Sequence, residues 1–353
     1  MKRTLLTLVL CLAPAAAHAQ PGAGLPSWLR LDRAAPGPRV PDDASTPLSA
    51  RARRVATAVP DEGTPDPGEH YPVSNEWRHD LWFEHVRDLG GAFVGVGTDQ
   101  CYTLAAVQRA RMIWVVDFDP LVPLVHRIYE VLVPASGDPD ALVARFAEEE
   151  REATEALLAE GLAGDPDADR IQRVYRRNRA RMHRYLRRVR RNRPHGTAAS
   201  WLGDPSLYAY VRALFEGGRV VARNGDVTAD GALRAVGRAA AQLEIPVRVV
   251  YFSNAEQFFP YRADFRENLE ALPTDERSVV LRTFRESEAP YPEGDTWHYM
   301  VQPVDDLRAR IRENGYRHSR QLVMDLMSSR ADLGDDGLSV LDGDVPRRFD
   351  LTD

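Results

Sequence analysis

The chain has 353 residues, a formal net charge of −6 and only two cysteines. A mildly acidic chain is not a globally basic nucleic-acid-binding protein, and two cysteines exclude a disulfide framework as the source of stability. The length suits one large domain or two small ones with a packed core.

Residues 1–19 are predicted to be a secretory signal peptide. Lys2 and Arg3 give a positive start, an apolar run follows from Leu5 to Leu12, and Ala17-His18-Ala19 supplies small residues around a cleavage point. The run is shorter than the roughly 20 apolar residues that cross a bilayer. We therefore expect an exported protein, periplasmic or secreted, that is not membrane-spanning.

The two cysteines fall on either side of the predicted cleavage point. Cleavage after Ala19 is the favoured interpretation, and lipid anchoring at Cys11 is the alternative, although Leu10 stands where lipoprotein signals carry a small residue. Cleavage leaves Cys101 alone, so no intramolecular disulfide can form even in an oxidising compartment.

Residues 20–70 are rich in Pro, Ala, Gly, Asp and Arg and show little periodicity. Such a segment buries too little apolar surface to offset its chain entropy, so it is predicted to be a disordered leader. Order is expected to begin near Tyr71, and mild proteolysis should remove the leader without loss of the folded core.

From residue 71 onward, short apolar strands alternate with helices. Helices are predicted at 74–89, 99–109, 121–132, 205–215, 232–243 and 264–272, and strands at 92–96, 112–116, 219–222, 247–252, 279–283 and 298–302. Continuous apolar strands between helices indicate a doubly wound, mostly parallel sheet of the Rossmann-like α/β class. This domain is predicted to span 71–320, with a charged helical insertion at 138–193 and a C-terminal helix and tail at 321–353.

The predicted insertion has an acidic first half and an arginine-rich second half. In the second half, from Arg170 to Arg193, the apolar residues form one stripe of an amphipathic helix, so the arginines cover its other faces. One interpretation is an acidic helix paired with a basic one. The alternative is contact with an anionic surface, such as envelope polymer or phospholipid headgroups; nucleic acid is disfavoured outside the cytoplasm.

The first strand runs into a helix through Gly95-Val96-Gly97-Thr98-Asp99-Gln100. Glycines at such a turn let the backbone approach a ligand, and the helix start offers amide groups. The third glycine of the dinucleotide fingerprint is missing. A tight strand-to-helix turn with Asp99 near the helix start is the alternative interpretation.

The second strand ends in Asp117-Phe118-Asp119-Pro120, and Asp117 lies 20 residues after Gly97. Rossmann proteins hold ribose hydroxyls with an acid at about this distance, so the spacing favours a nucleoside site. For Asp119 we favour a structural role as an N-cap, with Pro120 at the first helical position.

Two further strands also end in polar residues, in Arg223-Asn224-Gly225-Asp226 and in Ser253-Asn254-Ala255-Glu256-Gln257. Ligands of open α/β sheets bind beyond the carboxyl ends of the strands, so four polar strand ends predict one pocket. Each segment separately could be turn chemistry.

Together these segments resemble an uncharacterised bacterial exported-protein family with a class I methyltransferase-like Rossmann fold. The resemblance extends through Phe258-Phe259-Pro260-Tyr261 and Leu281-Arg282-Thr283, covers roughly residues 71–316, and is most specific between Ser253 and Tyr261. Phe93 stands two residues before Gly95, where such methyltransferases usually carry an acid.

The resemblance implies a pocket for an adenosine-type ligand such as S-adenosylmethionine. Gly95 and Gly97 would approach its methionine part, Asp117 the ribose, Asp226 the adenine and Asn254 the reacting centre. The full set of candidate binding residues is Gly95, Gly97, Thr98, Asp99, Gln100, Asp117, Asp119, Asp226, Ser253, Asn254, Glu256 and Gln257. The alternative is a non-catalytic envelope or secreted binding protein on a degenerate Rossmann fold.

Other residue types give weaker signals. Cys101 adjoins the predicted pocket, but no histidine lies near it in sequence, so a buried helix cysteine is favoured over a nucleophile. His126 and His298 are isolated and lack metal-ligand spacing, which favours core or surface roles. The sequence assigns no catalytic residue and predicts no metal site.

Overall fold

The computed structural model describes residues 38–286, 289–328 and 336–345. The predicted signal peptide, Cys11 and residues 20–37 of the predicted leader lie outside the described residues. The helices are α1 (Ala50–Thr57), α2 (Phe83–Val86), α3 (Gln100–Gln108), α4 (Leu121–Leu132), α5 (Pro139–Ala144), α6 (Arg151–Gly161), α7 (Ala168–Arg191), α8 (Pro205–Glu216), α9 (Ala232–Gln242), α10 (Ala263–Ala271), α11 (Val304–Glu313) and α12 (Ser319–Ser328). The strands are β1 (Ala92–Gly95), β2 (Met112–Asp117), β3 (Val220–Asn224), β4 (Val247–Ser253), β5 (Val279–Phe284), β6 (His298–Pro303) and β7 (Leu338–Val340).

The seven strands form one sheet in the order β3-β2-β1-β4-β5-β6-β7. Strands β1 to β5 are parallel, β6 is antiparallel to β5, and β7 is parallel to β6. The predicted mostly parallel α/β sheet is therefore confirmed, in an arrangement compatible with a Rossmann-like fold. The direction of the chain's progress through the sheet reverses between β1 and β4.

Helices cover both faces of the sheet, which explains why its strands are apolar throughout. On β2, Ile113 and Val115 join the core on one face, while Met112, Trp114 and Val116 join the core on the other. Helices α3, α4, α7 and α8 pack on the first face, and α1, α9, α10, α11 and α12 pack on the second. Alternation along a strand thus places apolar side chains in two cores instead of one.

The first predicted helix, 74–89, is largely wrong. Only a 3-10 turn at His79–Trp82 and the single turn of α2 form there. Ser74 Oγ accepts a hydrogen bond from the Glu76 amide, and the Trp77 and Arg78 amides both donate to the Tyr299 hydroxyl of β6. These tertiary partners take the backbone donors that a helix would have used.

Residues 38–64, which we call the N-terminal strap, lie against the sheet, so the prediction of a disordered leader is wrong for these residues. The strap contains α1, whose residues Ala52 and Ala56 are fully buried in the second core. Ser49 caps α1 by accepting a hydrogen bond from the Ala52 amide. Alanines pack closely here because they are small, although they gave no apolar periodicity in the sequence.

Two buried side chains of the sheet layer bind the backbone of the strap. The Arg219 guanidinium donates hydrogen bonds to the carbonyls of Pro41, Asp43 and Thr46. The Trp114 indole donates to the Ala56 carbonyl at 2.9 Å. The strap therefore satisfies donors that would otherwise be buried without partners.

Residues 138–193, predicted to be an insertion, form α5, α6 and α7 between α4 and α8. One face of α7 is buried in the first core. At the C-terminal end, α12 agrees with the predicted helix, but β7 adds an edge strand where only a tail was expected. Within the described ranges, no helix combines the length and apolar composition needed to cross a membrane.

Candidate functional site

A cavity of about 560 Å³ lies at the carboxyl ends of β1, β2, β3 and β4. This is where strand order reverses, the usual ligand position in open α/β sheets. Eight of the twelve predicted binding residues line it: Gly97, Thr98, Gln100, Asp117, Asp119, Asp226, Ser253 and Asn254. The sequence analysis thus predicted a common pocket for residues that lie up to 157 positions apart in the chain, from 97 to 254.

The other four candidates do not line the cavity. A Cβ at Gly95 would lie only 2.7 Å from the Phe93 ring, so this position is too close to its neighbour for a larger residue. Asp99 is buried and accepts a hydrogen bond from the Trp201 indole at 3.3 Å. Glu256 forms a buried ion pair with Arg282, and Gln257 donates to the Thr283 carbonyl at 3.3 Å. All four have structural roles.

The glycine turn is held by its own neighbours. The Gly97 amide donates to Asp117 Oδ2 at 2.7 Å, and the Thr98 amide donates to Gln100 Oε1 at 3.0 Å. Gly97 has φ +88°, and a Cβ on it would overlap the Gln100 side chain. The turn therefore favours glycine for its left-handed backbone, and two of its amides already have acceptors.

His126 supports the same turn from below. Its Nε2 lies 2.9 Å from the Gly97 carbonyl, and its Nδ1 faces the Tyr102 hydroxyl. Burial lowers the pKa of His126 to about 4, so the ring is neutral near pH 7. Nε2–H then donates to the Gly97 carbonyl, while Nδ1 accepts from Tyr102. The structure thus gives His126 a core role, as the sequence favoured.

Asp117 is a carboxylate of the cavity wall that accepts two hydrogen bonds from the backbone. Its Oδ2 accepts from Gly97, and its Oδ1 accepts from the Asp119 amide at 2.8 Å. Burial raises its pKa to about 6, and the two backbone hydrogen bonds oppose this shift. Each oxygen keeps one lone pair beyond these bonds, so the group can still accept hydrogen bonds from a ligand.

The neighbouring carboxylates also have internal partners. Asp119 Oδ1 accepts from the amide of Leu121, the first residue of α4, at 2.8 Å, and it contacts His70 Nδ1 at 2.8 Å. The N-cap of α4 is Pro120, so the predicted positions of Asp119 as N-cap and Pro120 as first helical residue are one residue too early. Asp226 Oδ1 accepts from the amide and hydroxyl of Thr228, both at 2.7 Å. Both side chains still line the cavity.

Glu76, which the sequence did not single out, anchors the end of β4. It is buried, and its carboxylate accepts from the hydroxyls of Ser253 at 2.6 Å, Tyr251 at 2.6 Å and Thr283 at 2.7 Å. His79 Nε2 lies 3.3 Å from Glu76 Oε2. Burial by itself would raise the pKa of Glu76, but these hydrogen-bond partners hold it below its usual value.

The residue whose hydroxyl donates to Glu76, Ser253, has an unusual backbone conformation. Ser253 has φ +52°, a left-handed conformation that a serine rarely adopts. This turn ends β4 and sets Asn254 in the cavity wall. The Asn254 side chain makes no hydrogen bond to the described part of the protein, so its amide is available to a ligand.

Exposed aromatic rings surround the mouth of the cavity. Tyr71, Phe118 and Phe258 are 50%, 41% and 79% exposed, and all three line the cavity. Large apolar side chains with this exposure are rare elsewhere in the described residues, where only Met324 and Val340 reach 40%. The sequence did not predict this rim, because single exposed rings do not form a periodic apolar pattern.

Comparison with protein-family models identifies a family. A family model described as Domain of unknown function (DUF7790) matches residues 71–342. The chain belongs to this family. No curated protein matches the chain.

The DUF7790 match contains nearly the whole cavity. Of the lining residues, only Pro67 and Glu69 precede it. The strap also precedes the matched range, yet its Glu62 accepts hydrogen bonds from the Asp226 and Ala232 amides, both at 2.6 Å. A residue outside the family region therefore holds the loop that carries one cavity carboxylate.

The remaining candidates have packing roles. Cys101 is fully buried, burial raises its thiol pKa, and its thiol donates to the Val96 carbonyl at 3.1 Å. His298 is buried between the Pro290 carbonyl and the Ser339 hydroxyl. No group of three or more metal-ligating side chains occurs among the described residues.

Proposed function

We propose that the cavity binds an adenosine-type ligand such as S-adenosylmethionine. The observation that carries this proposal is that Asp117 and Asn254, on opposite sides of the reversal in strand order, line the same cavity. Ligand pockets combine apolar walls with a few polar groups that fix orientation. Val96, Val116 and Val227 supply such walls here.

The polar groups suit the parts of this ligand. A carboxylate with one lone pair left on each oxygen, as Asp117 has, can accept from the two vicinal hydroxyls of a ribose. Asp226 can accept from an adenine amino group, and the unpaired amide of Asn254 is left for the opposite end of the ligand. When bound, S-adenosylmethionine would supply a methyl group on a sulfonium centre.

A non-catalytic binding protein on the same fold is the second candidate. Two observations favour it: the Gly97 and Thr98 amides are already satisfied by Asp117 and Gln100, and Phe93, where methyltransferases usually carry an acid, is fully buried in the core. A ligand's carboxylate would therefore find fewer free donors at this turn, and its charged amino group would find no acid at position 93.

Calorimetric titration separates the two candidates. We expect wild-type protein to bind at least one of S-adenosylmethionine, its demethylated product and adenosine, and Asn254→Ala to weaken that binding by about 3- to 10-fold, the effect of one hydrogen bond. The Asn254 side chain makes no hydrogen bond to the described residues, so the melting temperature should not change. Asn178→Ala on α7, away from the cavity, is the matched control.

Each outcome has a distinct meaning. If no adenosine compound binds the wild type, the adenosine proposal is wrong and the non-catalytic candidate replaces it. If binding is equally strong in Asn254→Ala, the ligand lies elsewhere in the cavity or outside it. Asp117→Ala then tests the ribose contact, and binding that survives this change would shift the contact to Asp119.

A further inference from the structure

Helix α7 has three distinct faces. One is buried in the first core through residues such as Tyr175 and Met182. A second carries arginines paired with acidic residues: Arg176 with Glu155 at 3.2 Å and Arg190 with Asp140 at 3.0 Å. The third carries six exposed arginines at helical spacings of three and four, which we call the arginine stripe. Its members are Arg173, Arg177, Arg181, Arg184, Arg188 and Arg191.

The stripe is long, and the described residues do not neutralise it. From Arg173 to Arg191 it extends for about 27 Å along the helix, at 1.5 Å per residue. Within the described ranges, none of its guanidinium groups lies within 4.0 Å of a carboxylate, unlike those on the second face. Like charges at these spacings repel one another, so the stripe is unfavourable unless an external anion lies on it.

The stripe adjoins the aromatic mouth of the cavity. The Arg181 guanidinium donates to the His70 carbonyl at 3.4 Å, and the Arg188 guanidinium lies 3.4 Å from the centre of the Trp77 ring. The chain between these two contacts contributes Tyr71, Val73, Ser74 and Asn75 to the cavity wall. Exposed cations and exposed aromatic rings are therefore neighbours on the surface.

We propose that the arginine stripe docks the protein onto an anionic phospholipid membrane. Guanidinium groups bind phosphate strongly, and several arginines add their attractions to a negatively charged surface. Exposed aromatic rings beside basic groups are typical of proteins that bind the lipid interface. An extended row on a convex helix suits a broad charged surface, and this inference does not depend on the ligand of the cavity.

Vesicle sedimentation of the full chain tests the proposal. Wild-type protein should bind vesicles that contain phosphatidylglycerol in phosphatidylcholine, bind poorly to phosphatidylcholine alone, and lose affinity as salt is added. Replacing Arg173, Arg177, Arg184 and Arg191 by Gln should lower the partition coefficient by about 100-fold or more. In the part of the chain that the structure describes, none of these four side chains makes a hydrogen bond or an ion pair, so the melting temperature should stay unchanged.

The control variant changes charge equally without touching the stripe. Arg39, Arg151, Arg212 and Arg312 all form surface ion pairs, and replacing these four by Gln should leave vesicle binding within a factor of three or so. The proposal is wrong if the wild type does not bind anionic vesicles, or if the stripe variant and the control variant lose vesicle binding equally. Binding of an oligonucleotide or of free phosphate, but not of anionic vesicles, would also overturn it.

Discussion

At the scale of single residues, burial dominates the electrostatics of Asp99. This carboxylate lies among aromatic rings beside Trp201, and burial raises its pKa from 3.8 to about 6, while hydrogen bonds from Trp201 and Tyr185 oppose the shift. In the unfolded chain the same group loses its proton near pH 4. Between these values the folded protein therefore holds a proton that the unfolded chain has released.

This difference predicts how stability depends on pH. The contribution of Asp99 to the free energy of unfolding should fall as the pH rises from about 4 to about 6, since the folded state must then carry a buried charge. Asp99→Asn removes that charge and keeps an acceptor for the Trp201 indole. We expect the variant to be more stable than the wild type at pH 8 by up to about 3 kcal/mol, and little different at pH 4.

Urea denaturation at the two pH values measures this effect. The exposed Asp230→Asn serves as the control and should change the free energy of unfolding by less than about 0.5 kcal/mol at either pH. An Asp99→Asn variant that is less stable than the wild type at pH 8, or that gains equally at both pH values, would show that the carboxylate is not destabilised by burial. Burial also raises the pKa of Asp117 to about 6, so this group lowers the free energy of unfolding of the wild type over the same pH range.

At the scale of elements, Glu62 connects the strap to α9 and to the end of β3. Its two oxygens accept from the Ala232 and Asp226 amides, so it lies where the helix dipole favours a negative charge. Glu62→Ala would leave two amides short of an acceptor. We expect the free energy of unfolding to fall by about 1–3 kcal/mol.

The control for this change is Glu84→Ala, an exposed glutamate of α2. It should have little effect in the same denaturation experiment, because a solvated carboxylate contributes little. A loss below about 0.5 kcal/mol for Glu62→Ala would mean that water replaces the carboxylate without cost. The strap would then be held by its other contacts, which include the bonds from Arg219 and Trp114 and the burial of Ala52 and Ala56.

Local sequence patterns predicted the helices and strands whose apolar pattern lies within the element itself. The run Met112–Val116 indicated β2 because both of its faces are apolar, and α4 was predicted at its observed bounds because its apolar residues recur at helical spacing. The rule that strand ends meet then placed Asp117 and Asn254 in one cavity.

Features that depend on distant partners left no local signal. Glu76 lies 177 residues from Ser253, whose hydroxyl it binds, and nothing around Glu76 distinguishes it from a surface glutamate. The same reason explains the strap and the lost helix at 74–89. Their backbone groups bond to Arg219, Trp114 and Tyr299, which only the folded sheet brings near.

At the scale of the whole molecule, the strap should be protected from proteases. Trypsin cuts after arginine, and α1 contains Arg51, Arg53 and Arg54 on its exposed side. A protease must unwind a helix to cleave it, and here that means removing Ala52 and Ala56 from the core. We expect cleavage at these three sites to be slow in native buffer and rapid in urea.

Mass spectrometry of the tryptic fragments identifies the cleavage sites. A native protein trimmed quickly at Arg51, Arg53 or Arg54, with its melting temperature unchanged, would show that the strap adds nothing to the folded core. Loss of the strap together with a lower melting temperature would agree with the observed packing.

The strap also constrains the order in which the chain can fold. Its residues are made before every strand of the sheet, yet Arg219, which binds the Pro41 carbonyl, lies 178 residues further along the chain. During synthesis the strap must therefore wait, without its partner, until β2, β3 and α9 have left the ribosome. A segment that is made before every strand of the sheet is therefore among the last to pack, so its docking should be a late and slow step in folding.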